Sequence, residues 1–202
     1  MTIAKGRAWG TPGPLPPDGV VVGSDAEARD VVVSARRAGV PVPTLGLLGG
    51  DLCRTLGGTG DPARLRSGAA VTFPADLGTV MVDGRQDWFV AHAVARTRLW
   101  TRAVLALNAQ WLGSWNVAPR AHPDDALLDV YAVRLAPGEL TKVRARLPTG
   151  THLPHPGITE RRVPSATFTL DHPLVLRLDG TRVGPVHELR FGLEPDALTV
   201  VV

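Results

Sequence analysis

The densest run of side chains able to do chemistry lies in residues 108 to 129. There Asp124 and Asp125 follow Gly113 and Pro119 and lead into the apolar alternating run Leu127 to Leu135, which holds Asp129 near its start. The segment carries too much Gly and Pro for a helix, so the three carboxylates sit at a loop-to-strand junction. Such a cluster supports two chemistries. It organises a metal or phosphate site, or its side chains bond their own backbone in a solvated turn. His152 and His155, three apart among prolines, offer metal ligands together with His122 or Asp124, but no cysteine or third histidine stands nearby to complete a zinc set. The chain carries no Gly-x-Ser-x-Gly, paired-cysteine motif, Walker loop or nucleic-acid signature.

The elements that must position these groups fall into two patterns. Residues 10 to 19 form a Pro/Gly linker that excludes helix and inner strand. Val20 to Val22 then reads as a buried strand bounded by Gly23. A helix follows from Ser24 or Asp25 as N-cap to about Arg37, with Gly39 as its stop. Val42 to Leu48 reads as the next strand, closed by Gly49 and Gly50, with Asp51 as N-cap of a short helix through Leu56. Two βα units in succession predict a small parallel sheet, where ligands sit at the carboxyl ends of strands.

From about residue 68 the pattern changes to short strands punctuated by Gly, Asp and Pro. Strands are predicted at residues 69–73, 78–82, 88–94, 103–109, 127–135, 165–170, 174–178, 188–193 and 198–202. One helix interrupts them, with Leu140, Val143 and Leu147 as its apolar stripe and Lys142, Arg144 and Arg146 on a solvated or, with Arg161 and Arg162, membrane-facing side. The expected fold class is α+β, a small α/β Rossmann-like domain over residues 1–67 followed by an antiparallel β-sandwich over 68–202.

Composition narrows the function classes. With 202 residues and 44% hydrophobic content the chain can bury substantial cores. Net charge is only +3, and the pI of 9.7 comes almost wholly from arginine, since Lys5 and Lys142 are the only lysines. Such a surplus is compatible with anionic lipid head groups or nucleotides. A lone cysteine, Cys53, excludes an internal disulfide, fits a reducing cytosol and is expected to be buried and inert. Met1 to Gly10 lack the apolar core of a signal peptide and no run approaches a membrane span, which predicts a cytoplasmic protein, at most peripheral at a membrane. The five tryptophans are expected to anchor cores or a cleft.

Three motifs in order resemble bacterial diacylglycerol kinases and the related sphingosine-type lipid kinases. Asn108, Gly113, Pro119, Ala121, Asp124, Asp125, Leu128 and Asp129 fit the family's Asn-Gly-x-x-x-Gly-Gly, Pro-x-Ala and Asp-Asp-Gly-x-Leu-Asp stretch. Thr151 to Pro156 resembles its His-x-x-His-Pro segment, and Leu178-Asp179-Gly180 its Val-Asp-Gly-Glu. The resemblance implies ATP and Mg²⁺ held in a cleft between an α/β domain and a β-sandwich. It also implies Asp179 as general base toward a lipid hydroxyl, and Asp124, Asp125 and Asp129 as an acidic loop supporting the metal. His152 and His155 would lie beside the substrate cleft. From its residues alone, Asp179-Gly180 is equally a hairpin turn.

The first half departs from the pattern. The family's Gly-Gly-Asp-Gly-Thr phosphate loop corresponds to Gly23-Ser24-Asp25-Ala26-Glu27, with two glycines lost and a carboxylate in place of threonine. Its Leu-Gly-Thr-Gly-Asn-Asp-Phe-Ala-Arg motif keeps Gly49, Asp51 and Arg54, with Leu48 and Gly50 in place of Thr and Asn. Nothing before Val20 resembles the family's opening strand, and Thr181 replaces the Glu after Asp179-Gly180. Gly23, Asp25, Gly49 and Asp51 are the nucleotide-binding candidates. Two functions follow as expectations: a pseudokinase that keeps the cleft to bind a lipid, nucleotide or protein partner, or an active ATP-dependent lipid kinase. A homodimer covering a truncated sheet edge is a further expectation, and no nucleic-acid partner is expected.

Overall fold

The computed structural model describes residues 9 to 202; the reading of the amino-terminal stretch as lacking a signal peptide, and Lys5, fall on residues outside that range. The chain runs β1 (Thr11–Pro12), β2 (Val20–Val22), α1 (Asp25–Ala38), β3 (Leu45–Leu47), α2 (Gly50–Thr55), α3 (Pro62–Leu65) and β4 (Val71–Val82). It continues through β5 (Arg85–Phe89), β6 (His92–Arg96), β7 (Arg102–Leu107), β8 (Trp111–Leu112), β9 (Trp115–Asn116) and β10 (Leu128–Arg134). It closes with α4 (Pro137–Arg146), a short 3₁₀ turn, β11 (Ile158–Val163), β12 (Ala166–Leu178) and β13 (Thr181–Val201).

α1 forms where local chemistry directs it. The Ser24 hydroxyl caps the Glu27 N–H at one end, and Gly39, at φ 67°, takes the left-handed conformation that ends it. Ala28, Val32 and Ala35 bury one side. The linker provides only the two-residue edge strand β1. At α2 the cap is Gly49, not the expected Asp51, which lies inside the helix.

Strands β4 to β13 form a mostly antiparallel β-rich fold in which β4, β13, β12, β6, β7, β10 and β11 are successive neighbours. The sheet curls so that Val80, Phe89, Leu189 and Phe191 from one end meet Ala93, Ala95, Ala106 and Val130 from the other in one core. β2 and β3 are parallel, and β3 adds to the carboxyl end of β13 through Leu45 and Val200, so the parallel pair continues the large sheet. The pairs expected at 69–73 and 78–82, at 165–170 and 174–178, and at 188–193 and 198–202 are each one long strand, the latter two bent by bulges. The expected strand at 88–94 is instead broken between β5 and β6.

The other face of β6, β7 and β10 carries Val94, Leu105, Leu107 and Tyr131 beneath the β8–β9 hairpin and the turn that follows α4. Lys142, Arg144 and Arg146 are exposed, and Cys53 is buried. Among the described residues no helix is long and apolar enough to cross a membrane.

Candidate functional site

The loops after β2 and β3 meet. Asp25, at the start of α1, turns its carboxylate onto the start of α2 and accepts from the Asp51 N–H at 2.5 Å and the Leu52 N–H at 3.1 Å. Gly50 is at φ 96°, and a Cβ there would stand 2.4 Å from Asp25 Oδ1. A Cβ on Gly49 would be 2.4 Å from the Gly23 carbonyl oxygen. These glycines are thus required by the contact of one loop with the other.

Opposite them stands His92, the first residue of β6 and a group that the sequence did not single out. Its Nε2 lies 2.9 Å from Asp51 Oδ2, while the Gly113 N–H donates to the same carboxylate at 2.9 to 3.0 Å. One ligand atom from each of Asp25, Asp51 and His92 falls within a 4.8 Å group, the one cluster of metal-ligating type among the described residues. The signal for His92 was a single polar side chain in the apolar run Val90 to Ala95.

Asp179 joins this cluster from the far end of the chain. At φ 47°, followed by Gly180 at φ 83°, it forms the hairpin turn between β12 and β13. Its side chain is only 4% exposed and turns inward to the break between β5 and β6. Oδ2 accepts from the Val90 N–H at 2.8 Å, and Oδ1 accepts from those of Ala91 and His92, both at 2.9 Å. The break removes these amides from the ladder, and the buried carboxylate satisfies them.

The electrostatics follow from burial. Burial, then the charge of Asp179, pushes the Asp25 carboxyl up to about 6. Burial likewise raises Asp179, against the pull of His92 and the three amides. Burial acts on Asp51 in the same sense, but the His92 bond and the Gly113 amide outweigh it and hold Asp51 below the usual carboxylate range. For His92 burial favours the neutral ring; the Asp51 bond and the charges of Asp179 and Asp25 outweigh it and raise the imidazole. The result is a network in which the His92 ring and the Gly113 amide are both hydrogen-bonded to the Asp51 carboxylate.

The glycine loop is engaged as well. The Gly23 N–H donates at 2.8 Å to the Glu27 carboxylate, which thereby occupies the electropositive start of α1.

Asp124, Asp125 and Asp129 are not brought into this cluster, and Arg162 stands against two of them. Asp124 accepts from the Trp9 indole at 3.0 Å, and Asp125 pairs with Arg162. Asp129, 1% exposed, has Arg162 Nε at 3.5 Å and no hydrogen-bond partner on either oxygen, and burial pushes it up to about 6. Asp76 holds this loop, accepting from the Ala126 N–H at 2.8 Å. His152 is buried beside an apolar cavity of about 60 Å³, and burial lowers its pKa. His155 lines a separate groove with Arg120 and Glu160.

An open cleft of about 410 Å³ lies alongside the His92 cluster, lined by His92, Gly113 and Gly180 with Arg96, Arg144 and Arg177. Trp100 and Trp115 form its apolar wall.

Comparisons with known proteins fit this architecture. Three solved structures ascribed to diacylglycerol kinases of Bacillus anthracis str. Sterne superpose with TM-scores of 0.67, 0.64 and 0.59 at 15 to 16% identity. They cover 91% of this chain and 75 to 77% of theirs, a likeness of fold. No curated protein sequence matches the chain. The model of the YegS C-terminal NAD kinase beta sandwich-like domain matches residues 68–202, and by that match the chain belongs to this family of the NAD kinase-like superfamily.

Proposed function

We propose that this protein is a non-catalytic, diacylglycerol-kinase-like member of its family, a pseudokinase that binds a lipid in the cleft beside His92 and transfers no phosphoryl group. The observation that carries the proposal is the Glu27 carboxylate on the Gly23 N–H. A triphosphate needs that amide and the start of α1; here the chain's own anion holds both and would repel a second one.

The remaining groups support the same reading. Both oxygens of Asp25 are spent on the start of α2, and the loops at Gly23 and Gly49 to Gly50 press together where phosphates would need a cradle. The cluster of Asp25, Asp51 and His92 is tied by hydrogen bonds and includes an imidazole, a donor set that suits Mg²⁺ poorly. Mg²⁺-ATP therefore does not fit these residues. A general base must reach the hydroxyl it deprotonates, whereas Asp179 is buried with both oxygens accepting from backbone amides.

The alternative, an active ATP-dependent lipid kinase, draws on the meeting of Asp25, Asp51 and Asp179 around His92. Transfer of label from γ-labelled ATP to dioctanoylglycerol in micelles separates the two readings. The proposal expects no labelled lipid above a protein-free blank, and sustained labelling would overturn it. The double variant Ala26→Gly, Glu27→Thr is expected to gain nucleotide binding, because it frees the Gly23 amide.

A further inference from the structure

His92, Val94 and Arg96 alternate along one face of β6, and Arg177 on β12 stands opposite Val94, so Arg96 and Arg177 are diagonal neighbours over the cleft. Arg144 comes from α4 to the same cleft. Some arginines elsewhere, Arg29, Arg36, Arg120 and Arg162 among them, pair with a carboxylate. Among the described residues these three do not. Arg96 donates to the carbonyl oxygens of Thr97 and Arg98 at 3.0 and 3.1 Å and lies 4.4 Å from the Trp100 ring. Arg177 donates to the Gly180 carbonyl at 2.8 Å, and Arg144 lies 5.3 Å from the Trp115 ring.

Three guanidiniums converge on one concavity, while the carboxylates behind it are already engaged, Asp51 by His92 and Asp179 by three backbone amides, so an anion entering the cleft meets the guanidiniums first. Burial, with the charge of Arg177, holds the Arg96 guanidinium below its usual range, a repulsion that a bound anion relieves. The carbonyl bonds fix where the Arg96 and Arg177 forks point, so little of their side-chain freedom is lost on binding. The apolar cavity under α4 adjoins this cleft, since Trp100, Trp115 and Arg144 line both.

We infer that the cleft takes a phosphate monoester bearing an aliphatic chain, the phosphate between Arg96 and Arg177 with Arg144 closing on it, and the chain lying over Trp100 and Trp115. This deepens the lipid-binding reading above and rests on it: it assigns the ligand a dianionic head where a neutral lipid alcohol would leave all three arginines unpaired. Planar guanidiniums match phosphate oxygens two at a time, which favours this head over a single carboxylate.

Calorimetric titrations of the full chain with octyl phosphate, dioctanoylglycerol, inorganic phosphate and Mg-ADP test it. Octyl phosphate is expected to bind about tenfold or more tighter than either dioctanoylglycerol or inorganic phosphate. Arg96→Gln and Arg177→Gln are each expected to weaken it about tenfold or more, the loss of a charge-assisted hydrogen bond, with melting temperature unchanged. Arg161→Gln, outside the cleft, should leave it as it is. Equal binding of dioctanoylglycerol and octyl phosphate would overturn the phosphate assignment and leave the lipid reading intact. Inorganic phosphate binding as tightly as octyl phosphate would remove the aliphatic chain from the assignment. Mg-ADP binding through the same arginines would overturn the lipid reading itself, and no binding by any probe would overturn both.

Discussion

Replacing Asp179 separates its two roles, because a general base and a buried turn acceptor fail in different ways. In Asp179→Ala the amides of Val90, Ala91 and His92 lose their acceptor in a site that water does not reach. At about 1–2 kcal/mol for each stranded donor the cost is about 3–6 kcal/mol. An alanine at the φ of 47° adds about 1 kcal/mol. Removing the charge that raises Asp25 returns about 1–2 kcal/mol. The net loss is about 2–6 kcal/mol, which for a chain of this size lowers the melting temperature by roughly 4–24 °C. Asp179→Asn keeps Oδ1 for Ala91 and His92 and tolerates the left-handed backbone, but sets an amide N–H₂ against the Val90 N–H, so about 1–2 kcal/mol is expected. Differential scanning calorimetry with urea unfolding reads both. Wild-type stability in the alanine variant would refute this reasoning, and loss of phosphoryl transfer in a fully stable asparagine variant would return Asp179 to catalysis.

Further predictions follow from the same contacts. The carboxyls of Asp25 and Asp129 are raised to about 6 in the fold, so the folded state favours their protonated forms; their effect on stability is most favourable below about pH 4 and declines as pH rises to about 6. His92, also raised, gives stability that is complete below its unfolded value and is lost as pH rises through its folded one, while the lowered Asp51 contributes above its unfolded value. Melting temperature is thus expected to be higher near pH 5 than near pH 8, and the reverse order in a calorimetric pH series would contradict it. Asp129→Asn removes a buried charge that lacks a hydrogen bond and should raise stability near pH 8 by about 1–3 kcal/mol in urea titrations, with little change near pH 4. A loss of stability at both values would show that Arg162 already offsets that charge. Gly50→Ala places a Cβ 2.4 Å from Asp25 Oδ1 at a φ of 96° and should cost about 2–4 kcal/mol. A cost below about half a kcal/mol would mean that the two loops are not held together as described.

The parts of the fold legible in the sequence were those fixed by local chemistry. Ser24 and Gly39 mark the ends of α1, and Val20 to Val22 makes a strand, because caps and short apolar runs act over a few residues. The long strands were read as fragments, since Pro195 and Asp196 in β13 look like a turn, whereas ladder bonds to β4 on either side carry the strand through a bulge. At α2 the sequence favoured Asp51 as cap by residue type, but the contact with Asp25 draws its backbone into the helix. Within the site, Asp25, Asp51 and Asp179 came forward through the resemblance to the lipid-kinase motifs. His92 did not, because its partner Asp51 lies 41 residues away and only the packing of β6 against α2 makes the pair. Asp124, Asp125 and Asp129 are close in the chain but stay apart from the His92 cluster: Asp124 accepts from the Trp9 indole, and Arg162 lies against both Asp125 and Asp129.

Calorimetric titration of the wild-type protein with Mg-ATP tests the central claim most directly. With Glu27 on the Gly23 amide and Asp25 spent on α2, the account predicts no saturable heat and no rise in melting temperature at millimolar nucleotide. Saturable binding at micromolar Mg-ATP would contradict it.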